Sequence, residues 1–218
     1  GAREGVGVDA WNELVARLRD YDAALSSHAY STGGYQKLGV VWRRDVVTVG
    51  AFEERYQDDA DAFPRPAIAL PITYDDGAHP ALSLELLGVH LKAGTQPDDV
   101  TRRTAAVARI AAELGAQPEA RVMILGDYNT VLGGADGDAV MAPLVDPAAY
   151  TVRTAPLAAA GTVSFLPSSV MLDHLTTTAA LDVDLADATT VVPPLDAQYP
   201  GYEAGVSDHL PVVITIPR

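Results

Sequence analysis

The run Val122-Met123-Ile124-Leu125-Gly126-Asp127-Tyr128-Asn129 decides how this chain is read. Arg121 to Gly126 is almost wholly apolar, short, and closed by a glycine, which predicts a buried strand. The spacing of two then sets Asp127 and Asn129 on the same side of the extended chain. One supplies a carboxylate, and the other an amide that donates to a phosphoryl oxygen. Asp and Asn also close strands in ordinary turns, so the segment alone leaves both uses open.

Three further segments interrupt or end apolar strands with polar residues, places where a side chain stays hydrated and meets a ligand. They are Gly88-Val89-His90-Leu91-Lys92-Ala93-Gly94, Leu172-Asp173-His174 and Ser207-Asp208-His209-Leu210-Pro211. Asp173 sits in an apolar stretch that begins at Met171, and a buried carboxylate needs a partner; a histidine is the natural one. Adjacent strand residues point to opposite faces, so Asp173 is expected to serve a histidine from another strand, leaving His174 a structural role. Asp208 beside His209 offers a hard metal ligand next to a base.

Outward from these segments, Asp9 is expected to cap a helix that buries Trp11, Leu14, Val15 and Leu18. Leu38 to Trp42 reads as a buried strand, with Val46 to Val49 as its hairpin partner. Strands follow over 67–74 and 82–91, parted by the turn signal Asp75-Asp76-Gly77. Thr95 and Pro97 start a second helix with buried Val107, Ile110, Ala111 and Leu114. Later strands are expected over 162–166, 171–177 and 211–216. Helices fall between strands and no composition break marks a second domain, which predicts a single layered α/β sandwich, sheet on sheet with helices outside.

Taken in order, His90-Leu91, Gly126-Asp127-Tyr128-Asn129, Asp173-His174 and Ser207-Asp208-His209-Leu210-Pro211 resemble the endonuclease/exonuclease/phosphatase (DNase I-like) superfamily, from about Gly34 to the C-terminus. The resemblance implies a four-layer α/β sandwich, two facing mixed sheets flanked by helices, with a site at one end. It implies a proton-transfer dyad of His209 with Asp173, and Asp127 with Asn129 positioning water and phosphate. His90 would contact the phosphate or the leaving group, Gln36 would orient His90, and Arg65 would meet substrate phosphate. Asp208 would help hold Mg²⁺, or Mn²⁺ or Ca²⁺. One departure stands out: relatives open with two strands, the second supplying a metal-binding glutamate, and none precedes Asp9 here. The domain is therefore expected to be N-terminally incomplete, with that Glu upstream of Gly1.

The implied activity is metal-dependent phosphodiester hydrolysis, by a monomer, of DNA or RNA. A phospholipid or inositol-phosphate ester on the same fold, or a catalytically silent binding module, are the alternatives. The net charge of -14 argues against broad electrostatic binding of nucleic acid, although a divalent metal can bring phosphate into an acidic cleft. The absence of cysteine removes disulfides, thiolate metal sites and a Cys nucleophile. No apolar run approaches the ~20 residues of a membrane span. With no Met at its start, the chain is expected to have lost something upstream, and a secreted or periplasmic place is favoured over the cytoplasm.

Overall fold

The computed structural model describes residues 2–3, 6–28 and 36–217. The chain begins with β1 (Ala2–Arg3), α1 (Val6–Arg17), β2 (Tyr21–Leu25), β3 (Gln36–Lys37), β4 (Gly39–Arg43), β5 (Val47–Val49) and β6 (Glu53–Arg55). The long strands β7 (Ala67–Tyr74) and β8 (Leu82–His90) lead through α2 (Pro97–Gly115) to β9 (Val122–Asp127). Then come α3 (Ala135–Met141), β10 (Tyr150–Val152), α4 (Ala155–Ala159), β11 (Asp173–Thr178) and α5 (Ala179–Asp182). The chain closes with β12 (Thr189–Val191), α6 (Leu195–Gln198), α7 (Tyr202–Gly205) and β13 (Val213–Thr215).

A seven-stranded sheet runs β10-β11-β9-β8-β7-β5, with β6 also on β7; β1–β3, β2–β4 and β12–β13 form separate two-stranded ladders. Within the large sheet only β8 and β9 are parallel, and α2 is the crossover between them, as a parallel pair requires. Pro97 opens α2 where a missing N–H costs nothing, and the Asp99 carboxylate takes the Gln96 N–H at 3.1 Å.

The period of two sorts each strand between two cores. Leu87, Val89, Val122 and Ile124 face α2 and pack with its Ala106, Val107, Ile110 and Leu114. Leu82, Leu84, Met123 and Leu175 face the other way, where Ile214 and Ile216 cover them. The mixed α/β architecture read from the sequence is therefore present, with α2 on one face of the large sheet, α5 on the other, and α1 against the β2–β4 ladder.

Three local expectations are corrected. The hairpin between 38–42 and 46–49 does not form: β4 pairs with β2, and β5 pairs with β7, so the chain changes sheets at Arg44. The stretch 162–166 is no strand, since Phe165 makes only isolated bridges to Val170 and His209 before Pro167 turns the chain. The first helix starts before Asp9, and Leu14 is 49% exposed; Trp11 packs on β4, lying where a Cβ on Gly39 would fall. The position at which the sequence reading expects that Glu, before Gly1, falls outside the described residues.

Candidate active site

The site is laid out by strand register. His90 ends β8 and is paired with Asp127 at the end of β9; Asp127 is paired in turn with Asp173 at the start of β11. The three side chains thus stand in a row on one face of the sheet, at one end of it. His90 Nε2 lies 3.3 Å from Asp127 Oδ2. His209 arrives from the loop before β13 and sets its Nδ1 2.7 Å from Asp173 Oδ2 and its Nε2 3.9 Å from Asp127 Oδ2.

Several contacts hold His209. Its N–H donates to Ser207 Oγ at 3.0 Å, its carbonyl accepts from the Tyr202 hydroxyl at 3.0 Å, and Phe165 packs on its ring at 4.8 Å between centroids. Asp173 is anchored by Ser164, which is fully buried: its hydroxyl donates to Asp173 Oδ2 at 2.7 Å and accepts the N–H groups of Leu172 and Asp173 at 3.0 and 3.1 Å. Sequence reading missed Ser164 and Phe165 because they sit in the segment taken for a strand. The signal within reach was a serine in an apolar run, which when buried must bond to something.

Asn129 has φ of 50°, a left-handed conformation that Asn tolerates. Its N–H donates to Asp127 Oδ1 at 2.7 Å and its amide to the Leu91 carbonyl at 3.1 Å. Arg65 Nη1 donates to the Leu91 carbonyl at 3.2 Å, beside the same row. Gln36 lies in β3 opposite Arg3, in a ladder separate from the strands that carry the row. Asp208 is exposed and lines another groove with Asp196 and Glu203. His174 is paired with Gly126 and faces the opposite side of the sheet, 1% exposed, with Nδ1 3.0 Å from the Thr154 hydroxyl and Nε2 2.8 Å from the Thr130 carbonyl.

Burial, then the neighbouring Arg65 and His209, push His90 down to about 3, so its ring is neutral and the short approach to Asp127 is no ion pair. Burial, then Asp173, push Asp127 up to about 6. His209 is raised, chiefly by its bond to Asp173. His174 is lowered by burial. Below about 6.5 the unfolded chain protonates His90, which the fold keeps neutral, at up to ~1.4 kcal/mol per pH unit. The stability of the metal-free protein relative to its His90→Gln variant should therefore decrease between pH 7 and pH 5. Urea unfolding of both proteins with chelator at both pH values measures it; an unchanged difference would contradict the assignment.

Asp127, Asp173 and His209 each present one donor atom, all within 4.8 Å of one another, the spacing of a metal site. Two close carboxylates, one with its pKa forced up by burial and then by the other, are an environment that a cation relieves. Oxygen donors with one imidazole suit a hard divalent ion.

No family model and no curated protein matches the chain by sequence. Solved structures do match. D. rerio TDP2 complexed with single strand DNA product superposes with a TM-score of 0.66 at 16% identity, covering 96% of this chain and 82% of that one. The human Nocturnin catalytic domain with bound sulfate anion gives 0.59 at 11% identity, covering 95% and 77%. A mannosyl-6-phosphatase of Bacteroides thetaiotaomicron gives 0.56 at 12% identity, covering 97% and 82%. An endonuclease/exonuclease/phosphatase from Bacteroides vulgatus gives 0.61 at 13% identity, covering 96% and 81%. The likeness spans nearly the whole chain, and the protein has the endonuclease/exonuclease/phosphatase fold.

Proposed function

We propose that the chain hydrolyses phosphate esters, and within that class acts as a metal-dependent phosphodiesterase on DNA or RNA. The observation that carries this reading is the row His90–Asp127–Asp173 completed by the His209–Asp173 hydrogen bond. Among proteins of this fold, one is complexed with a single-stranded DNA product and another is a phosphatase, so phosphate esters are the chemistry to test first.

In this reading His209 takes the proton from an attacking water, with Asp173 holding its ring and stabilising the imidazolium. Asp127 and Asn129 orient that water and the phosphate. Neutral His90 donates to a phosphoryl or leaving-group oxygen, and Arg65 faces the phosphate charge. Asp127 and Asp173 would hold a Mg²⁺, Mn²⁺ or Ca²⁺ ion, and Asp208, expected as a ligand, lies in a separate groove. Such an ion, when bound, neutralises charge developing on the phosphoryl oxygens.

Two measurements test the proposal. Mn²⁺ titrated calorimetrically should bind with about 10- to 100-fold lower affinity to Asp127→Asn, as a lost ligand or ligand support typically costs. Unchanged affinity would remove Asp127 from the metal site. Turnover of single-stranded DNA, RNA, sphingomyelin and inositol phosphates with each ion ranks the substrates. Hydrolysis of the lipid or the inositol phosphates alone would reject the nuclease and keep the hydrolase. Nucleic-acid binding with no hydrolysis under any ion would favour a binding module.

A further inference from the structure

The chemistry above gives His174 no part, although both of its ring nitrogens are engaged. The Thr130 carbonyl, 2.8 Å from Nε2, can only accept, so Nε2 carries a proton. On the neutral ring Nδ1 is then the acceptor, and the Thr154 hydroxyl at 3.0 Å donates to it. Tyr128 meets the imidazole edge-on, with centroids 5.6 Å apart and planes at 82°. Tyr128, Thr130 and Thr154 are all buried, so this is a dry network with the direction of each bond fixed.

Thr130 closes the turn that carries Asn129. On the side of the site, that turn is pinned by the Tyr128 N–H on the Leu172 carbonyl at 3.0 Å and by the Asn129 N–H on Asp127 Oδ1 at 2.7 Å. The Asn129 amide reaches the Leu91 carbonyl at 3.1 Å, and the Thr130 hydroxyl folds back on the Tyr128 carbonyl at 2.8 Å. On the far side the Thr130 carbonyl takes its hydrogen bond from His174. A buried carbonyl stripped of its donor must turn until another donor or water reaches it. The residue before it is Asn129 at φ of 50°, a conformation that persists only while its surroundings over-determine it.

We propose that His174 is a positioning residue: through the Thr130 carbonyl it holds the turn that presents Asn129 beside Asp127. Adjacent residues of β11 then set the two halves of the centre from its two faces, Asp173 orienting His209 and His174 orienting Asn129. The inference rests on the reading that Asp127 and Asn129 orient the attacking water and the phosphate.

The test compares two replacements of equal reach. Glutamine sets an amide N–H as many bonds from Cβ as Nε2 is, and methionine has that length with no donor. With bis(p-nitrophenyl) phosphate and Mn²⁺, His174→Met should lower kcat per folded molecule by about 10- to 100-fold, since a displacement of about 1 Å at a reacting group can cost ~10²-fold. KM should change by less than about threefold, because what is lost acts in the transition state. His174→Gln should recover kcat to within about threefold of the parent, at a urea midpoint close to that of the methionine variant. Thr154→Val removes the other bond to the ring and leaves the Thr130 carbonyl its donor, so it should lower the urea midpoint and spare kcat. If the methionine variant does not fold, His174→Asn, polar but one bond too short for Thr130, is judged by the same criteria. Equal kcat with and without the donor, or a kcat that follows the urea midpoint across all three variants, overturns the inference and leaves the hydrolase reading standing. A parent that turns over none of the ester with Mg²⁺, Mn²⁺ or Ca²⁺ overturns both.

Discussion

His209→Ala is expected to lower turnover of any phosphodiester substrate by ~10²–10⁴-fold, the range for loss of a general base. Among the described residues the imidazole is the one ring hydrogen-bonded to Asp173, and its side chain is 26% exposed on a loop, so its removal leaves little cavity. The variant should retain the far-ultraviolet spectrum and the urea midpoint of the parent to within a small shift. Asp173→Asn offers an independent signature. Asp173 raises the pKa of His209, so the acidic limb of the parent's pH–rate profile is expected above the ordinary histidine value. With the carboxylate gone, that limb should move to lower pH while kcat falls. Near-full activity of His209→Ala at neutral pH would remove the dyad from the reaction, and an unmoved limb in Asp173→Asn would give the acidic limb to another group.

Gly126→Ala should be the most disruptive single substitution in the sheet. Gly126 has φ of +136°, and a Cβ there would lie 2.0 Å from the Val89 carbonyl oxygen. The strained backbone costs about 1–3 kcal/mol and the forced separation of strands a similar amount. Val89 and Gly126 are the rung beside His90 and Asp127, so strands that part there carry the site with them. A displacement of about 1 Å at a reacting group can cost ~10²-fold in rate, so any folded variant should be nearly inactive. Gly115→Ala is the control: nothing lies within 4 Å of a Cβ there, at the end of α2, and a small gain in stability is expected. Equal urea midpoints for the two variants would refute the register argument.

The chemistry-bearing residues were legible because each interrupts or ends an apolar run. Strand parity separates Asp173 from His174 in the sequence alone, and the structure sends their side chains to opposite faces of the sheet. Long-range pairing was less legible. Val47 to Val49 reads as a strand wherever its partner lies, and nothing local says that the partner is β7 rather than β4. Strand propensity records fit to a half-buried pleat, and that fit is supplied from elsewhere in the fold. The same limit applies at 162–166, where a strand-like composition serves to hold Ser164 under Asp173 and Phe165 against His209. The burial of Arg103 was hidden for a different reason: its partners are backbone carbonyls, which leave no mark in sequence.

The row of three rungs makes the centre behave like a reading frame. Because side chains alternate with period two, a one-residue deletion inside β9 would bring Tyr128 opposite His90 and turn the carboxylate toward the aliphatic layer under α2. Two offset changes, a loss in β9 matched by a gain after Asn129, would not restore the centre, since the carboxylate must stand between His90 and Asp173 at once. Length can vary freely only where the ladder is absent, as in the exposed turn over 75–81 at the far end of β7 and β8. Tolerance to insertion along this chain is thus set by distance from three paired residues, and hardly at all by how conservative the inserted residue is.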